Sequence, residues 1–120
     1  KVNDFSENNF SDPIVFKRAK HVITENKRVL DAKKYLLENN IEKFGQLMNE
    51  SHSSYSKDFE ASTEDVDIIT QRSIEAGALG SRLTGGGFGG YTVSLMEKNQ
   101  YGSWYDKMKR YYSEDKFFAV

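Results

Sequence analysis

A run of glycines near the C-terminal end constrains the fold of this chain more than any other feature. Five of the nine glycines lie within residues 85–90. Leu83 leads into the run, and residues 91–96 after it show the β-branched alternation of a strand. The pattern therefore predicts a strand, a glycine segment and a second strand. Each ordered glycine costs about 0.5–1 kcal/mol relative to alanine, so this density indicates a surface where side chains must be missing.

The same segment satisfies the pattern G-x-G-x-x-G, which is typical of dinucleotide-binding loops. That interpretation is excluded because those loops lead from a strand into a helix, whose N-terminus faces the pyrophosphate. Here a strand follows, and no Gly-Lys-Ser/Thr ends the segment as in a Walker A loop. Two interpretations remain. The glycines form either a wide or bulged hairpin, or a functional loop whose backbone N–H groups make an anion-binding nest.

A long helix is predicted far upstream of the glycines. It begins at Asp12, a capping side chain, with Pro13 in the first helical position. Apolar pairs then recur every seven residues: Val15/Phe16, Val22/Ile23, Val29/Leu30 and Leu36/Leu37. This pattern predicts an amphipathic helix to about Glu38. A coiled coil is the alternative, but Asn26 and Lys33 interrupt its seam.

Two more helices are predicted before the glycine segment. The dipeptide Asn39-Asn40 breaks the first helix, and the apolar spacing over residues 41–54 predicts a second helix, antiparallel to the first because the link is short. Residues 62–65 resemble a capping box that begins a third helix. This helix runs to Ala76, and Gly77 is the expected stop.

The C-terminal part is predicted to contain a helix over residues 101–113 and a strand over residues 116–120. The order of elements is then three helices, two strands, a helix and a strand. This order indicates the α+β class, with an antiparallel sheet covered by helices. We expect residues 1–13 to form a linker or arm and residues 14–120 to form one domain, since 120 residues suit a single core.

Composition excludes several classes of function. The net charge of −1 gives no general attraction to nucleic acid or anionic lipid, and no apolar run is long enough for a transmembrane helix. Cysteine is absent, which excludes disulfides and thiolate sites and favours a cytoplasmic location. His21 and His52 have no metal-ligand spacing, and both are interpreted as core histidines rather than catalytic bases. We therefore predict no metal site and no nucleic-acid or membrane partner.

Four stretches of this chain together resemble the GHMP sugar and metabolite kinases, in their galactokinase form. They are Arg18-Ala19-Lys20-His21-Val22 with Glu25, Asn26 and Arg28; residues 44–52 (FGQLMNESH); Phe59-Glu60-Ala61-Ser62 with Asp67; and residues 80–90 (GSRLTGGGFGG). The resemblance covers about residues 14–120.

This resemblance implies a ferredoxin-like fold, that of the GHMP kinase C-terminal domain. It implies a glycine-rich third motif that lines the cleft and contributes to cofactor binding, made of Thr84, Gly85, Gly86, Gly87, Phe88, Gly89 and Gly90. The ligands it implies are galactose and ATP, with Mg²⁺. The catalytic residues and most ATP and Mg²⁺ contacts would belong to an N-terminal half that this chain lacks. We therefore expect no catalytic residue in the chain, no activity of the chain alone, and a monomeric full-length enzyme.

Two other functions are compatible with the resemblance. One is a galactokinase-like sensor that binds sugar and ATP without catalysis, and the other is a kinase for a related sugar such as N-acetylgalactosamine. Phe59, Thr63-Glu64 and Tyr91 depart from the usual galactokinase residues near the sugar. The substrate is therefore the least constrained part of the expectation.

Overall fold

The fold is described by a computed structural model that covers residues 6–84 and 91–119. Within these residues, the α-helices and strands are α1 (Pro13–Leu37), α2 (Ile41–Lys57), α3 (Glu64–Glu75), β1 (Gly80–Thr84), β2 (Tyr91–Leu95) and α4 (Tyr101–Met108). Short 3₁₀ turns lie at Glu7–Asn9, Lys98–Gln100 and Glu114–Lys116. The α+β class predicted from the sequence is confirmed.

The first three helices begin where the sequence predicts, because side chains cap their first turns, and residues with positive φ follow α1 and α3. The Asp12 carboxylate accepts a hydrogen bond from the N–H of Ile14 at 2.9 Å. Asn39 ends α1 with a φ of 57°, a left-handed conformation that asparagine tolerates. The neighbouring Asn40 side chain then caps α2. Gly77, with a φ of 123°, follows α3 in the same way.

The two strands form an antiparallel hairpin in which Gly80 pairs with Leu95 and Thr84 pairs with Tyr91. Alternate residues of β1 turn their backbone groups toward β2, and the residues between them turn away from it. The hairpin packs against α2 and α3, so β1 lies between β2 and α2. Because β2 occupies only one edge of β1, the backbone N–H and C=O groups on the other edge need hydrogen-bond partners from α2.

An apolar cluster between α3 and α4 forms the hydrophobic core. Ala76, Ala78, Trp104 and Met108 are buried there, and Phe117 packs against the edge of the Trp104 ring with ring centroids 5.8 Å apart. The indole N–H of Trp104 donates to the Ser73 hydroxyl at 2.9 Å. Burial of the indole therefore leaves no unpaired donor.

Polar side chains fill much of the remaining interior. The buried polar residues are His21, Ser51, His52, Ser54, Thr70, Ser73 and Ser81. Every buried side-chain nitrogen or oxygen in the described part of the chain has a hydrogen-bond partner. Satisfied networks of this kind specify one arrangement of the helices, because any other arrangement would leave polar groups unpaired.

The C-terminal end differs from the sequence prediction. The helix predicted over residues 101–113 ends at Met108, and residues 117–119 are not a strand. Phe117 packs on the Trp104 and Tyr105 rings instead, which places this residue against α4. The strand prediction was wrong for these residues, because Phe117 packs on aromatic rings of α4, and Phe118 is 80% exposed.

The apolar pairs of α1 are also less buried than an amphipathic pattern suggests. Phe16 and Ile23 are half-buried, whereas Leu30 and Leu37 are 71% and 80% exposed. A repeat of seven residues drifts by about 20° per heptad around a helix with 3.6 residues per turn. Tyr35 accordingly occupies the half-buried side near the end of α1.

No helix in the described part of the chain is both long and apolar enough to cross a membrane.

Candidate functional site

Thr84 is the one residue of the predicted glycine-rich site that lies within the described ranges. It is exposed at the end of β1 and pairs with Tyr91 across the hairpin. Gly85, Gly86, Gly87, Phe88, Gly89 and Gly90 lie outside the described residues, so their predicted role stays a prediction. What the structure does describe is the support of β1, the strand that leads to them.

Side chains of α2 bond to the edge of β1 that faces away from β2. The Asn49 amide nitrogen donates to the Leu79 carbonyl at 3.2 Å, and its oxygen accepts from the N–H of Ser81 at 2.9 Å. Two residues further along the strand, the N–H of Leu83 donates to Nδ1 of His52 at 3.1 Å. Asn49 and His52 therefore take the place of a neighbouring strand. The sequence prediction assigned no such role to Asn49, since one asparagine on a helix gives no periodic signal.

A second hydrogen bond determines the tautomer of His52. Its Nδ1 accepts from Leu83, so the proton of the neutral ring is on Nε2, which donates to Asp67 Oδ1 at 2.7 Å. The hydroxyls of Ser62 and Ser56 also donate to Asp67, at 2.8 and 3.0 Å. Burial alone would raise the pKa of Asp67, but the hydrogen bonds from Ser62, His52 and Ser56 lower it below its ordinary value. His52 is thus a hydrogen-bonded core histidine, as predicted.

An ionic cluster ties α1 to the same strand. Glu25 accepts from the Arg28 guanidinium at 2.8 Å and from the Ser51 hydroxyl at 2.7 Å, and Arg82 of β1 lies 3.4 Å away. Burial acts to raise the pKa of Glu25, but the hydrogen bonds from Arg28 and Ser51 and the two positive charges lower it overall. The carboxylate therefore stays ionised and links three elements.

His21 of α1 is buried and packs against two aromatic rings. Its centroid is 4.2 Å from that of Tyr55 and 5.0 Å from that of Phe59, and its Nδ1 is 2.8 Å from the Ser54 hydroxyl. Burial lowers the pKa of His21. The prediction that His21 is a core histidine is consistent with this packing.

These side chains support the backbone and offer little chemistry of their own. The described residues contain no group of three or more His, Asp or Glu side chains that could hold a metal ion. Two cavities lie between α1 and α2, one of about 80 Å³ beside Glu25 and Met48 and one of about 340 Å³ among the polar side chains around Lys20 and Asp58. Only the second reaches the lower end of the roughly 300–1,000 Å³ that small-molecule pockets span, and its lining includes no residue of β1. Together, these side chains hold in place the strand that ends at Thr84.

Comparison with known proteins identifies the family of this chain. Residues 32–114 match the family model described as "GHMP kinases C terminal". The galactokinase of Mycobacterium tuberculosis (strain H37Rv) is 43% identical over 100 residues, which are 83% of this chain and 28% of that protein. The galactokinase of Clostridium beijerinckii is 40% identical over 116 residues, which are 92% of this chain and 30% of that protein.

Two solved structures are similar to the fold. The galactokinase of Lactococcus lactis complexed with galactose has a TM-score of 0.83 and 31% identity, over 92% of this chain and 29% of that one. The L. major mevalonate kinase in complex with R-mevalonate has a TM-score of 0.76 and 29% identity, over 97% of this chain and 35% of that one. This chain spans less than a third of the length of the galactokinases it matches. It belongs to the GHMP kinases, and it corresponds to their C-terminal domain.

Proposed function

We propose that this chain is the C-terminal domain of an ATP-dependent galactokinase. The whole protein would transfer the γ-phosphoryl group of ATP to the anomeric hydroxyl of galactose and form galactose 1-phosphate. The observation that carries this proposal is the sequence identity to curated galactokinases across most of the chain. The similarity of the fold to a galactokinase complexed with galactose supports it further.

Phosphoryl transfer needs little covalent chemistry from a protein, so it depends on positioning and on stabilisation of charge. We assign both tasks, for this chain, to residues 84–90. Their backbone N–H groups would form a close wall beside the phosphates and the sugar. The helices that hold β1 would keep this wall in place.

We assign only part of the binding site for ATP and Mg²⁺ to this chain. The described residues hold no group of acidic side chains suited to a metal ion, so we assign the Mg²⁺ ligands to the rest of the protein. When bound, Mg²⁺ neutralises charge on the phosphoryl group being transferred. Because we also assign the catalytic residues to the rest of the protein, the chain alone should not catalyse the reaction.

The test uses the protein translated from the whole reading frame that encodes this chain, with the 120-residue chain as the matched control. Each is incubated with Mg-ATP and galactose, N-acetylgalactosamine or mevalonate, and the products are identified by ³¹P NMR. We expect galactose 1-phosphate from the whole protein and no phosphorylated sugar from the chain alone.

Other outcomes identify the alternatives. Binding of galactose and ATP without turnover would make the whole protein a sensor. Preferred phosphorylation of N-acetylgalactosamine would change the substrate and leave the reaction class unchanged. Turnover by the chain alone would show that a catalytic group lies within it.

The proposal includes a cytoplasmic location and a monomeric full-length protein. The absence of cysteine supports the first, because cytoplasmic proteins rarely depend on disulfides. Cell fractionation checks the location, and sedimentation of the whole protein checks the oligomeric state. Recovery in a membrane pellet or a stable dimer would contradict these two parts.

A further inference from the structure

We propose that His52 is a positioning residue for the transfer reaction, one that acts by holding the β1 backbone at Leu83 next to Thr84. The inference rests on the proposed function, because it concerns the strand that supports the site proposed there. His52 does not act on the substrate itself. Its role follows from where its two ring nitrogens are bonded.

Both nitrogens of His52 are occupied inside the protein. Nδ1 accepts from the N–H of Leu83 and Nε2 donates to Asp67. The residue is only 8% exposed. Neither nitrogen is available to accept a proton from a sugar hydroxyl, so a role as a general base does not fit the geometry.

The hydrogen bonds that link Leu83, His52 and Asp67 all run in one direction: Leu83 donates to His52, and His52 donates to Asp67. Asp67 accepts from Ser56 and Ser62 as well as from His52, which holds its carboxylate in one orientation. An oriented carboxylate keeps the proton on Nε2 and leaves Nδ1 as an acceptor. The pair therefore presents a fixed acceptor to the backbone of β1.

Leu83 is the last residue of β1 at which α2 bonds to the strand. Asn49 bonds to Leu79 and Ser81, and His52 bonds to Leu83, one residue before Thr84. Without the bond to His52, α2 would bond to the strand backbone only as far as Ser81, and Leu83 would keep the hydrogen bond that its carbonyl accepts from Arg82. A displacement of about 1 Å near reacting groups can lower the rate by up to a hundredfold.

Two substitutions separate the two bonds of His52. His52→Asn places an amide oxygen where the ring has Nδ1, so it can accept from Leu83 but cannot reach Asp67. His52→Gln extends one atom further, so its amide nitrogen can donate to Asp67 where Nε2 does. The two variants lose one bond each, and each keeps a polar side chain at a buried position.

The experiment uses the protein from the whole reading frame and measures kcat and KM for galactose, thermal stability, and hydrogen exchange of peptides covering β1. If the hydrogen bond between His52 and Leu83 positions the site, His52→Asn keeps kcat within about threefold of the unmodified protein. His52→Gln then lowers kcat by about tenfold with little change in KM. Exchange at the Leu83 amide should rise in His52→Gln and not in His52→Asn.

Two results would overturn the inference. One is unchanged exchange at Leu83 in His52→Gln. The other is loss of stability in both variants with an unchanged kcat of the folded protein, because a purely structural residue would behave in that way. If the unmodified protein does not phosphorylate galactose, the proposed function is wrong, and the exchange measurement still decides whether His52 holds Leu83.

Discussion

Gly45 of α2 and Gly80 of β1 lie so close together that neither has room for a Cβ atom. A Cβ on Gly45 would come within 2.7 Å of the Leu79 carbonyl carbon and oxygen, and one on Gly80 would meet the Gly45 carbonyl oxygen. These contacts are with backbone, which cannot rotate away as a side chain can. The helix and the strand therefore touch main chain to main chain, close enough for Asn49 and His52 to reach the strand.

The first prediction is that Gly45→Ala and Gly80→Ala each lower the free energy of unfolding by about 1–3 kcal/mol, because overpacking forces the backbones apart. Gly102 in α4 is the matched control, since a Cβ there meets nothing within 4 Å. Gly102→Ala should be neutral or stabilise by up to about 1 kcal/mol. Urea unfolding of the three variants measures the difference, and equal effects at all three positions would contradict the close contact.

The second prediction concerns His21 and pH. Burial lowers the pKa of His21 from its ordinary value of 6.5; the charges of Glu25 and Asp58 oppose this effect, and those of Arg28 and Arg82 add to it. The unfolded chain then binds a proton near pH 6.5, while the folded chain does so only at lower pH. The contribution of neutral His21 to the free energy of unfolding is therefore complete above pH 6.5 and is lost as the pH falls below 6.5.

The measurement is urea unfolding at about pH 7.5 and about pH 5.5, compared between the unmodified chain and His21→Gln. The unmodified chain should lose more stability between these values than the variant does. Parallel losses in the two proteins would assign the pH dependence to other groups.

The third prediction concerns Glu25. Glu25→Gln leaves Arg28 and Arg82 without their carboxylate in a partly buried cluster, which should cost about 1–3 kcal/mol of stability. Glu60 is the control, because its ion pairs with Lys17 and Arg18 are exposed and Glu60→Gln should change stability little. Comparable losses in the two variants would contradict a special role of the cluster.

The Glu25 cluster also has a pH signature. The pKa of Glu25 lies below its ordinary value of 4.5, so its contribution is complete above about pH 4.5 and is lost as the pH falls through the folded pKa. Acid unfolding of Glu25→Gln should therefore be less steep below this pH than that of the unmodified chain. Identical acid transitions would indicate that the carboxylate is not stabilised in the folded state.

The fourth prediction concerns Gly87, whose expected role comes from the sequence. Gly87→Val should lower the activity of the whole protein by about a hundredfold, because a side chain would fill the space that the substrate needs. The melting temperature should change little, and a thermal scan beside the kinase assay separates the two effects. Losses of activity and stability in proportion would favour a structural role for the glycines.

The limits of the three helices and two strands up to Leu95 could largely be predicted from the sequence, because local chemistry determines them. Asp12, Asn40 and Thr63 cap the helices with their own side chains, and Gly77 adopts the conformation that ends α3. Such signals depend on a few neighbouring residues. The glycine segment and its similarity to the GHMP kinases were also visible in the sequence.

The support of the site could not be predicted in the same way. The bond from Leu83 to His52 joins residues 31 positions apart, and the ion pair of Glu25 with Arg82 joins residues 57 apart. Neither leaves a periodic pattern. The end of the chain was mispredicted for a related reason, since Phe117 is placed by the Trp104 and Tyr105 rings rather than by its sequence neighbours.

The side chains that bond to β1 also decide in which direction its sheet can be extended. With Asn49 and His52 occupying one edge of β1 and β2 occupying the other, no further strand can join β1. Among the described residues, no backbone group outside the hairpin bonds to residues 91–94 of β2. A larger protein that contains this chain can therefore widen the sheet only beyond β2, on the side away from α2, whose side chains bond to the strand that leads to Thr84.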